Sequence, residues 1–247
     1  MLARHADRFR RGLNHILDFF LPRFCPFCHH PLPAGEPGLV CAACLATIPF
    51  LPRPRCLCCG APFRSRQGGD RLCQTCLRLT PPFDRARAAA FYEGPVLEAI
   101  HRLKYQRQLL YGKLLGEIMQ QVPDILEAVA AAHLLLPVPL HPRRLRWRGF
   151  NQALLLAQTF RDIPVVRDVL VRERPTLPQV GLSSQERLAN VKGAFVVRRP
   201  DLVAGRNVII LDDVYTTGAT VAECARVLRR AGAVRIEVIT AARVGYA

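Results

Sequence analysis

The chain has 247 residues, half of them hydrophobic, so it can bury the core of one domain of ordinary size together with a smaller one. Its net charge of +16 favours a polyanionic partner, either nucleic acid or phosphorylated metabolites. No apolar stretch reaches the roughly 18–20 residues of a membrane span, which argues against an integral membrane protein built on hydrophobic helices.

The first segment, residues 1–24, predicts an amphipathic helix from about residue 7 to residue 21. The apolar stretch near its end is interrupted by Asp18 and lacks a small-residue cleavage site, so a signal peptide is not expected. We expect the helix to dock on the protein's own body. The predicted location is cytoplasmic, with peripheral attachment to the inner face of the membrane as the alternative. Its apolar face carries Phe9, Leu13, Ile16, Leu17 and Phe20.

Four CxxC motifs stand within residues 25–80, with spacers of 12 and 13 residues inside successive pairs of motifs. Two thiolates two residues apart, brought against a second such pair, form a tetrahedral zinc site. Disulfides would instead require export to an oxidising compartment. The segment therefore predicts a double zinc ribbon with two structural zinc ions. The predicted ligands are Cys25, Cys28, Cys41, Cys44, Cys56, Cys59, Cys73 and Cys76.

Two pairings of these motifs are open. In the sequential pairing, the first two motifs share one metal and the last two share the other. An interleaved cross-brace would mix them. We favour the sequential pairing because each ribbon then closes its own short loop. Cys58 is spare in either arrangement, and Cys224 is expected to be a small buried apolar residue of the final helix.

Residues 83–247 predict a second domain, which the Thr-Pro-Pro stretch at residues 80–82 separates from the ribbons. A helical pattern runs from residue 95 to about residue 122, and others begin near Asn151 and after Thr220. Strands that alternate with helices predict an α/β domain with a mostly parallel sheet. Apolar runs predict strands at residues 87–92, 133–138, 164–171, 194–197 and 208–211.

A basic and aromatic stretch, PLHPRRLRWRGF, follows the strand predicted at residues 133–138. Guanidinium groups mixed with aromatic rings are what a phosphate backbone and stacked bases require. The alternative is a solvated basic loop with Trp147 packed into the core. The nucleic-acid candidates are Arg143, Arg144, Arg146, Trp147 and Arg148.

A long polar segment, residues 172–193, separates the strand predicted at residues 164–171 from the next one. It has no core-forming period and is long for a loop in a compact domain. We interpret it as a mobile functional lid.

The stretch VIILDDVYTTGAT, residues 208–220, is the most informative motif. A buried strand ends at Asp212 and Asp213, which could accept hydrogen bonds from the two hydroxyls of a ribose. Gly218 would let the backbone approach a ligand closely, and the amides that open the next helix could hold a 5′-phosphate. The alternatives are a solvated Asp pair before an ordinary turn, and the acidic strand of a nucleotide triphosphatase. The latter needs a GxxxxGK[ST] loop, which the sequence lacks.

This stretch resembles the motif by which type I phosphoribosyltransferases bind 5-phosphoribosyl 1-pyrophosphate (PRPP). Together with the two ribbons, LKY, PVPLHPRRLRWRGFNQA and LSSQERLANVKGAF, it resembles the ComF family. That family contains phosphoribosyltransferase-like proteins tied in many bacteria to natural competence, the uptake of transforming DNA. The resemblance covers the chain from about Leu17 onward. It implies a type I phosphoribosyltransferase-like fold, a mostly parallel sheet flanked by helices, behind the small double zinc-ribbon domain.

The resemblance also implies roles for particular residues. Asp212 and Asp213 would hold the ribose of PRPP, and magnesium would bridge ribose and pyrophosphate oxygens. Single-stranded DNA, a competence helicase and uptake proteins are the implied macromolecular partners. The 5′-phosphate would lie on Thr216, Thr217, Gly218, Ala219 and Thr220. The pyrophosphate candidates are Arg143, Arg144, Arg148 and, by likeness to amidotransferase-type phosphoribosyltransferases, Arg187.

Two functions follow from the sequence. The first is a protein that binds PRPP and handles single-stranded DNA during natural transformation. The alternative is an active phosphoribosyltransferase in nucleotide salvage that uses PRPP and an unidentified nucleobase or amine acceptor. A structural adaptor with a vestigial site is disfavoured because the DDVYTTGAT motif is intact.

Overall fold

A computed structural model describes residues 22–33, 38–177, 181 and 183–247. The chain divides into two compact units, Met1–Ile48 and Pro49–Ala247. This division falls between the two cysteine ribbons, ahead of the linker expected at residues 80–82. The amphipathic helix expected at residues 7–21 lies outside the described residues. None of the helices within the described ranges is long and apolar enough to span a membrane.

The regular elements are numbered in chain order among the described residues. The helices are α1 (Ala42–Ala46), α2 (Gln74–Arg78), α3 (Gly94–Gln106), α4 (Leu110–Gln120), α5 (Pro123–Ala130), α6 (Pro142–Arg148), α7 (Gln152–Ala157), α8 (Ser184–Val191) and α9 (Ala219–Arg230). The strands are β1 (Arg85–Phe91), β2 (Leu134–Pro137), β3 (Leu170–Arg172), β4 (Phe195–Val197), β5 (Asn207–Tyr215) and β6 (Arg235–Arg243).

The first unit contains a small cysteine ribbon. The backbone N–H of Cys25 donates to the carbonyl of His30 at 2.8 Å, and Phe24 pairs with Pro31 in an isolated antiparallel bridge. Helix α1 begins directly after Cys41, whose Sγ accepts the N–H of Cys44 at 3.4 Å. These hydrogen bonds join near neighbours in the chain and form a tight turn, or knuckle, around each CxxC pair, as the motif spacing predicts.

The second unit is built on a four-stranded, fully parallel sheet with the strand order β1-β6-β5-β2. The residues Val208 to Leu211 of β5 are completely buried, as their aliphatic run predicts. The parallel sheet confirms the predicted fold class. Strand β6, which lies next to β5, was not predicted. Parallel strands end at the same edge, so the segments after β1, β2, β5 and β6 lie along one edge of the sheet.

Both faces of the sheet are covered. On one face, Val208 and Ile210 of β5 pack in a buried cluster with α9 and with the cysteines of the second ribbon. Helices α3, α4, α5 and α7 also contact the sheet strands. The antiparallel pair β3 and β4 lies against α9. The second ribbon is thus part of the core of this unit.

Several predicted elements differ from the structure. The helix expected over residues 95–122 is two helices, α3 and α4, because Arg107 adopts a left-handed conformation with φ of 56°. The strand expected at residues 164–171 is replaced by a single parallel bridge at Val165 and by β3. The basic stretch expected as a loop forms α6. The expected lid contains α8, which Ser183 and Glu186 cap reciprocally.

An ion cluster fastens the second ribbon to β1 and α5. The carboxylate of Asp124 in α5 pairs with Arg55 of the ribbon, with Arg87 Nε of β1 at 3.1 Å and with Arg53 at 3.0 Å. Burial opposes the ionised form of Asp124, but the guanidinium groups outweigh it and lower the pKa of this carboxyl. The Asp124 side chain is 13% exposed, and those of Arg55 and Arg87 are 5% and 4% exposed.

Replacing Asp124 is therefore expected to destabilise the second unit. Asp124→Asn leaves two buried guanidinium groups without their counter-charge and should lower the free energy of unfolding by about 3–5 kcal/mol. Arg53→Gln is the matched control, because its side chain is 62% exposed and its loss should change stability by at most about 1 kcal/mol. Denaturant unfolding of zinc-loaded protein at pH 7 measures both. Equal stabilities for the wild type and Asp124→Asn would contradict the structural role of the cluster.

Candidate functional site

A cavity of about 560 Å³ opens at the carboxyl edge of the parallel sheet. Asp212 and Asp213, near the end of β5, stand in its wall and are 9% and 4% exposed. Strand β5 continues past them to Tyr215, so both acids lie within the strand rather than after it. Helix α3 brings Lys104 to Asp213, and its ammonium group forms an ion pair with the Asp213 carboxylate.

The two neighbouring carboxyls have opposite pKa shifts. Burial, together with the negative charge of Asp213, raises the pKa of Asp212 to about 8. Burial also opposes ionisation of Asp213, but the ammonium group of Lys104 outweighs it and lowers the pKa of that carboxyl. The ion pair with Lys104 thus favours the carboxylate form of Asp213, whereas burial beside that charge favours the protonated form of Asp212. Such a pair can both accept and donate hydrogen bonds, which suits a vicinal diol.

A glycine turn joins β5 to α9 at the same edge. Gly218 has φ of 77° and is the N-cap of α9. The Thr217 hydroxyl accepts the N–H of Ala219 at 3.4 Å, which shapes the first turn of the helix. The N-terminus of a helix presents backbone N–H groups and the positive end of the helix dipole, and both favour an anionic oxygen. The cavity is lined here by Thr216, Thr217, Gly218, Ala219 and Thr220.

Among the described residues that line the cavity, five are cations and two are acids: Lys104, Arg144, Arg148, Arg172, Arg187, Asp212 and Asp213. Arg148 and Arg172 are 2% and 6% exposed. Arg148 Nη1 donates to Gln152 at 2.9 Å, and Arg172 donates to the hydroxyl of Thr176. Within the described part of the chain, the Nε atom of each of these two arginines has no hydrogen-bond partner. Guanidinium groups in the wall of a cavity favour an anionic ligand such as a phosphate or pyrophosphate.

Helix α6 divides the basic stretch between two environments. Arg144 and Arg148, one helical turn apart, line the cavity. Arg143 and Arg146 are exposed, as is Trp147, whose side chain is 62% exposed, and these three are not among the described lining residues. The Trp147 carbonyl accepts a hydrogen bond from Arg107 at 2.7 Å. The alternative of Trp147 packed in the core is therefore wrong.

The structure brings most of the sequence-derived candidates into one cavity. The two acids, all five residues of the turn and three of the four pyrophosphate candidates line it, and Arg143 is the exception. Sequence analysis missed Arg172, Tyr92 and Gln152, and it assigned no role to Lys104. An arginine closing an apolar strand run was the available signal for Arg172. Lys104 becomes recognisable only through its long-range contact with Asp213.

The cysteines form two tetrads, each with its ligand atoms within 4.8 Å of one another, and these are the sequential sets. In the second tetrad all four side chains are buried, whereas in the first only Cys25 is. The neighbouring Cys59 thiol, outweighing burial and assisted by backbone amides, lowers the pKa of Cys56 to about 4. Four sulfur ligands gathered this closely fit tetrahedral zinc, which would hold each knuckle closed.

Comparison with known proteins agrees with both parts of the chain. A family model described as "Double zinc ribbon domain" matches residues 16–78, and one described as "Phosphoribosyl transferase domain" matches residues 148–245. The chain is 35% identical to the DNA utilization protein YhgH of Escherichia coli K12, covering 88% of this chain and 96% of that protein. It is 32% identical to competence protein F of Haemophilus influenzae, covering 92% of this chain and all of that protein. Competence protein ComFC of Bacillus subtilis is 24% identical over 78% of this chain and 79% of its own length.

The parallel sheet, the acid pair and the glycine turn, together with the cysteine tetrads, define a phosphoribosyltransferase-like protein with an N-terminal double zinc ribbon. The relatives from Escherichia coli and Haemophilus influenzae are 35% and 32% identical to the chain over 88% and 92% of its length, which identifies the family. The chain belongs to the ComF family.

We expect two equivalents of zinc per chain in protein purified without chelators. Each tetrad supplies four thiolates, and losing one ligand should empty only its own site. Elemental analysis should therefore give a ratio near one for Cys25→Ser and for Cys56→Ser, and near zero for the double variant. A wild-type ratio near one would show that only one ribbon holds metal.

Proposed function

We propose that this protein binds PRPP in the cavity at the edge of the sheet and binds single-stranded DNA on the outer face of α6, in a role in natural transformation. The observation that carries the proposal is the division of α6. Arg144 and Arg148 face a cavity that also holds the acid pair and the glycine turn, while Arg143, Arg146 and Trp147 are not among its described lining residues.

Each part of PRPP has a chemically matched counterpart in the cavity. The diol suits the pair of Asp212 and Asp213, and the 5′-phosphate suits the amides and hydroxyls of the turn around Gly218. The pyrophosphate suits the buried guanidinium groups of Arg148 and Arg172 and the half-buried Arg144 and Arg187. The described residues of the lining include five cations and two acids, an excess of positive charge that complements a polyanion.

Magnesium fits the same cavity. Carboxylate and phosphate oxygens are the ligands it prefers, and the buried carboxylates of Asp212 and Asp213 stand beside the diol position proposed above. When bound with PRPP, magnesium would neutralise charge on the pyrophosphate. The chain's own contribution is to orient the sugar through the acids and to hold both phosphate ends with arginines and amides.

The outer face of α6 supports the DNA half of the proposal. Trp147 offers a ring that is 62% exposed, and Arg143 and Arg146 are exposed on the same helix. Arg107, exposed at the end of α3, bonds to the backbone of Trp147 and adds a third guanidinium group. An exposed ring on a helix that also carries exposed guanidinium groups matches the stacking platform and phosphate contacts of single-strand binders. The relatives named for competence and DNA utilization point to the same class of partner.

Removing both acids should weaken PRPP binding. Asp212→Asn combined with Asp213→Asn preserves shape but replaces an accepting oxygen of each carboxyl by an amide nitrogen, which should cost roughly 1.5–3 kcal/mol for each hydrogen bond from the diol to a charged acceptor that is lost. Calorimetry with PRPP and magnesium measures the change, which corresponds to about 10- to 150-fold in Kd per hydrogen bond. The control is Arg143→Gln, outside the cavity lining, which should bind PRPP as the wild type does. An unchanged Kd for the double variant would refute the assignment of the acids.

Substitutions on the exposed side of α6 and on its cavity side should have different effects on DNA binding. Arg143→Gln with Arg146→Gln should lower affinity for all single-stranded sequences and reduce the log–log salt slope by about 0.7 for each phosphate that is no longer neutralised. Trp147→Ala should cost about 1–3 kcal/mol with little change in that slope. Fluorescence anisotropy with a labelled oligonucleotide measures both.

The matched control for the DNA experiment is Arg144→Gln, which should weaken PRPP binding and leave the salt slope of DNA binding unchanged. If instead Arg144→Gln lowered the slope and the outer pair did not, the DNA would follow the cavity side of the helix. The DNA half of the proposal would then be wrong as stated.

Phosphoribosyl transfer is a second candidate, favoured by one observation. Beyond the acids, the turn and the arginines, the cavity wall also contains Tyr92 and Tyr105, which could contact an acceptor with an aromatic ring. The experiment is a screen for pyrophosphate release from PRPP across nucleobases and amines, with the double Asn variant as the blank. Release that depends on one acceptor would establish the enzyme.

A further inference from the structure

The glycine turn rests on the ring of Tyr215. A Cβ atom at Gly218 would lie 2.6 Å from Cζ of Tyr215, far inside van der Waals contact. The left-handed φ of Gly218 further excludes other residues there. Since Gly218 begins α9, the position of the Tyr215 ring determines where the first amides of that helix stand. The contact between Gly218 and the Tyr215 ring therefore fixes the shape of the glycine turn.

Arg243, at the end of β6, holds the Tyr215 ring in place. Its guanidinium carbon lies 4.8 Å from the ring centroid, within the range of a cation–π contact. Phe83 packs edge-on against the same ring at a centroid distance of 6.4 Å. Arg243 is 6% exposed and is not among the described residues that line the cavity. It can affect a ligand at the turn only through its neighbours.

The guanidinium group of Arg243 is anchored on the second cysteine tetrad. Its Nη1 donates to the backbone carbonyl of Cys59 at 2.7 Å, and this bond joins residues 184 positions apart in the chain. Cys59 is a member of the buried tetrad, and its Sγ lies 3.8 Å from Sγ of Cys73. The knuckle is also fixed to β1, because the N–H of Ala86 donates to the carbonyl of Cys58 at 2.6 Å. The tetrad cysteines and Tyr215 belong to one buried cluster.

We infer that the second cysteine tetrad positions the glycine turn between β5 and α9, the proposed seat of the 5′-phosphate, and that it acts through Arg243 and Tyr215. The closed knuckle fixes the carbonyl of Cys59, this carbonyl orients Arg243, and Arg243 holds Tyr215 beneath Gly218. This inference rests on the proposed PRPP site. The first tetrad lies in the other compact unit and has no such role. Two ribbons of nearly equal spacing thus have unequal functions.

The inference makes a selective prediction about ligands. Ribose 5-phosphate probes the turn, whereas inorganic pyrophosphate probes the arginine-lined part of the cavity. Displacing the turn should weaken the binding of ribose 5-phosphate and leave the binding of pyrophosphate unchanged. Misplacing a binding group by about 1 Å can cost as much as 100-fold, so a loss of at least tenfold in ribose 5-phosphate affinity is expected. General unfolding would weaken both ligands alike.

The experiment compares the last cysteine of each tetrad in the full-length protein. Cys44→Ser and Cys76→Ser should each lower zinc content from two equivalents to one. Only Cys76→Ser should weaken ribose 5-phosphate binding by tenfold or more, with pyrophosphate affinity unchanged within about twofold. A second variant, Arg243→Ala, keeps both tetrads intact. It should retain two equivalents of zinc and show the same selective loss.

The outcomes separate the inference from the proposed function. If wild-type protein bound neither PRPP nor either probe, the proposed PRPP site would be wrong. If the wild type bound them and Arg243→Ala bound ribose 5-phosphate equally well, only the inference would be overturned. It would also be overturned if Cys44→Ser and Cys76→Ser weakened ribose 5-phosphate to the same extent, or if Arg243→Ala weakened both probes alike.

Discussion

Two carboxyl groups, Asp212 and Asp213, are buried side by side at the end of β5, and the rest of the site is arranged around this constraint. Like charges that close cannot both ionise in low-dielectric surroundings without compensation. Lys104 compensates Asp213, which requires α3 to reach the sheet edge with its last turn. The acids in turn offset part of the desolvation cost of Arg148 and Arg172, whose pKa values burial lowers. Among the described lining residues the cavity thus keeps an excess of positive charge, five cations against two acids.

The structure around the site also depends on the second ribbon, which belongs to the metal-binding part of the chain. Its cysteines lie in one apolar cluster with Tyr215 and Ala219, and Arg55 and Arg87 tie it to Asp124. A segment this short could hardly form a core of its own, and metal binding would supply part of its folding free energy. Placing it beneath the sheet couples that free energy to the site. The first tetrad, with three of its four cysteines not buried, belongs to a separate small unit.

The sequence predicted those features of the structure that depend on short stretches of neighbouring residues. The aliphatic run of β5, the glycine turn and the cysteine spacing are all short-range features, and each lies where it was expected, although β5 continues past its acids to Tyr215. Strand β6 escaped prediction because Arg235 and Glu237 interrupt its apolar pattern. Glu237 is nevertheless buried, since Arg85 of β1 and Arg235 pair with its carboxylate. A partner 152 positions away in the chain leaves no local signal. The same reason hides Lys104, and it hides the anchoring of Arg243 on Cys59.

Helix α6 shows why an accurate motif can still leave roles undecided. In an extended loop the four arginines of the stretch would be interchangeable, and each was a candidate for DNA. In the helix, Arg144 and Arg148 lie one turn apart and both line the cavity, whereas Arg143, Arg146 and Trp147 are exposed. A DNA strand bound at Trp147 and a ligand bound in the cavity would then contact the same short helix through different side chains.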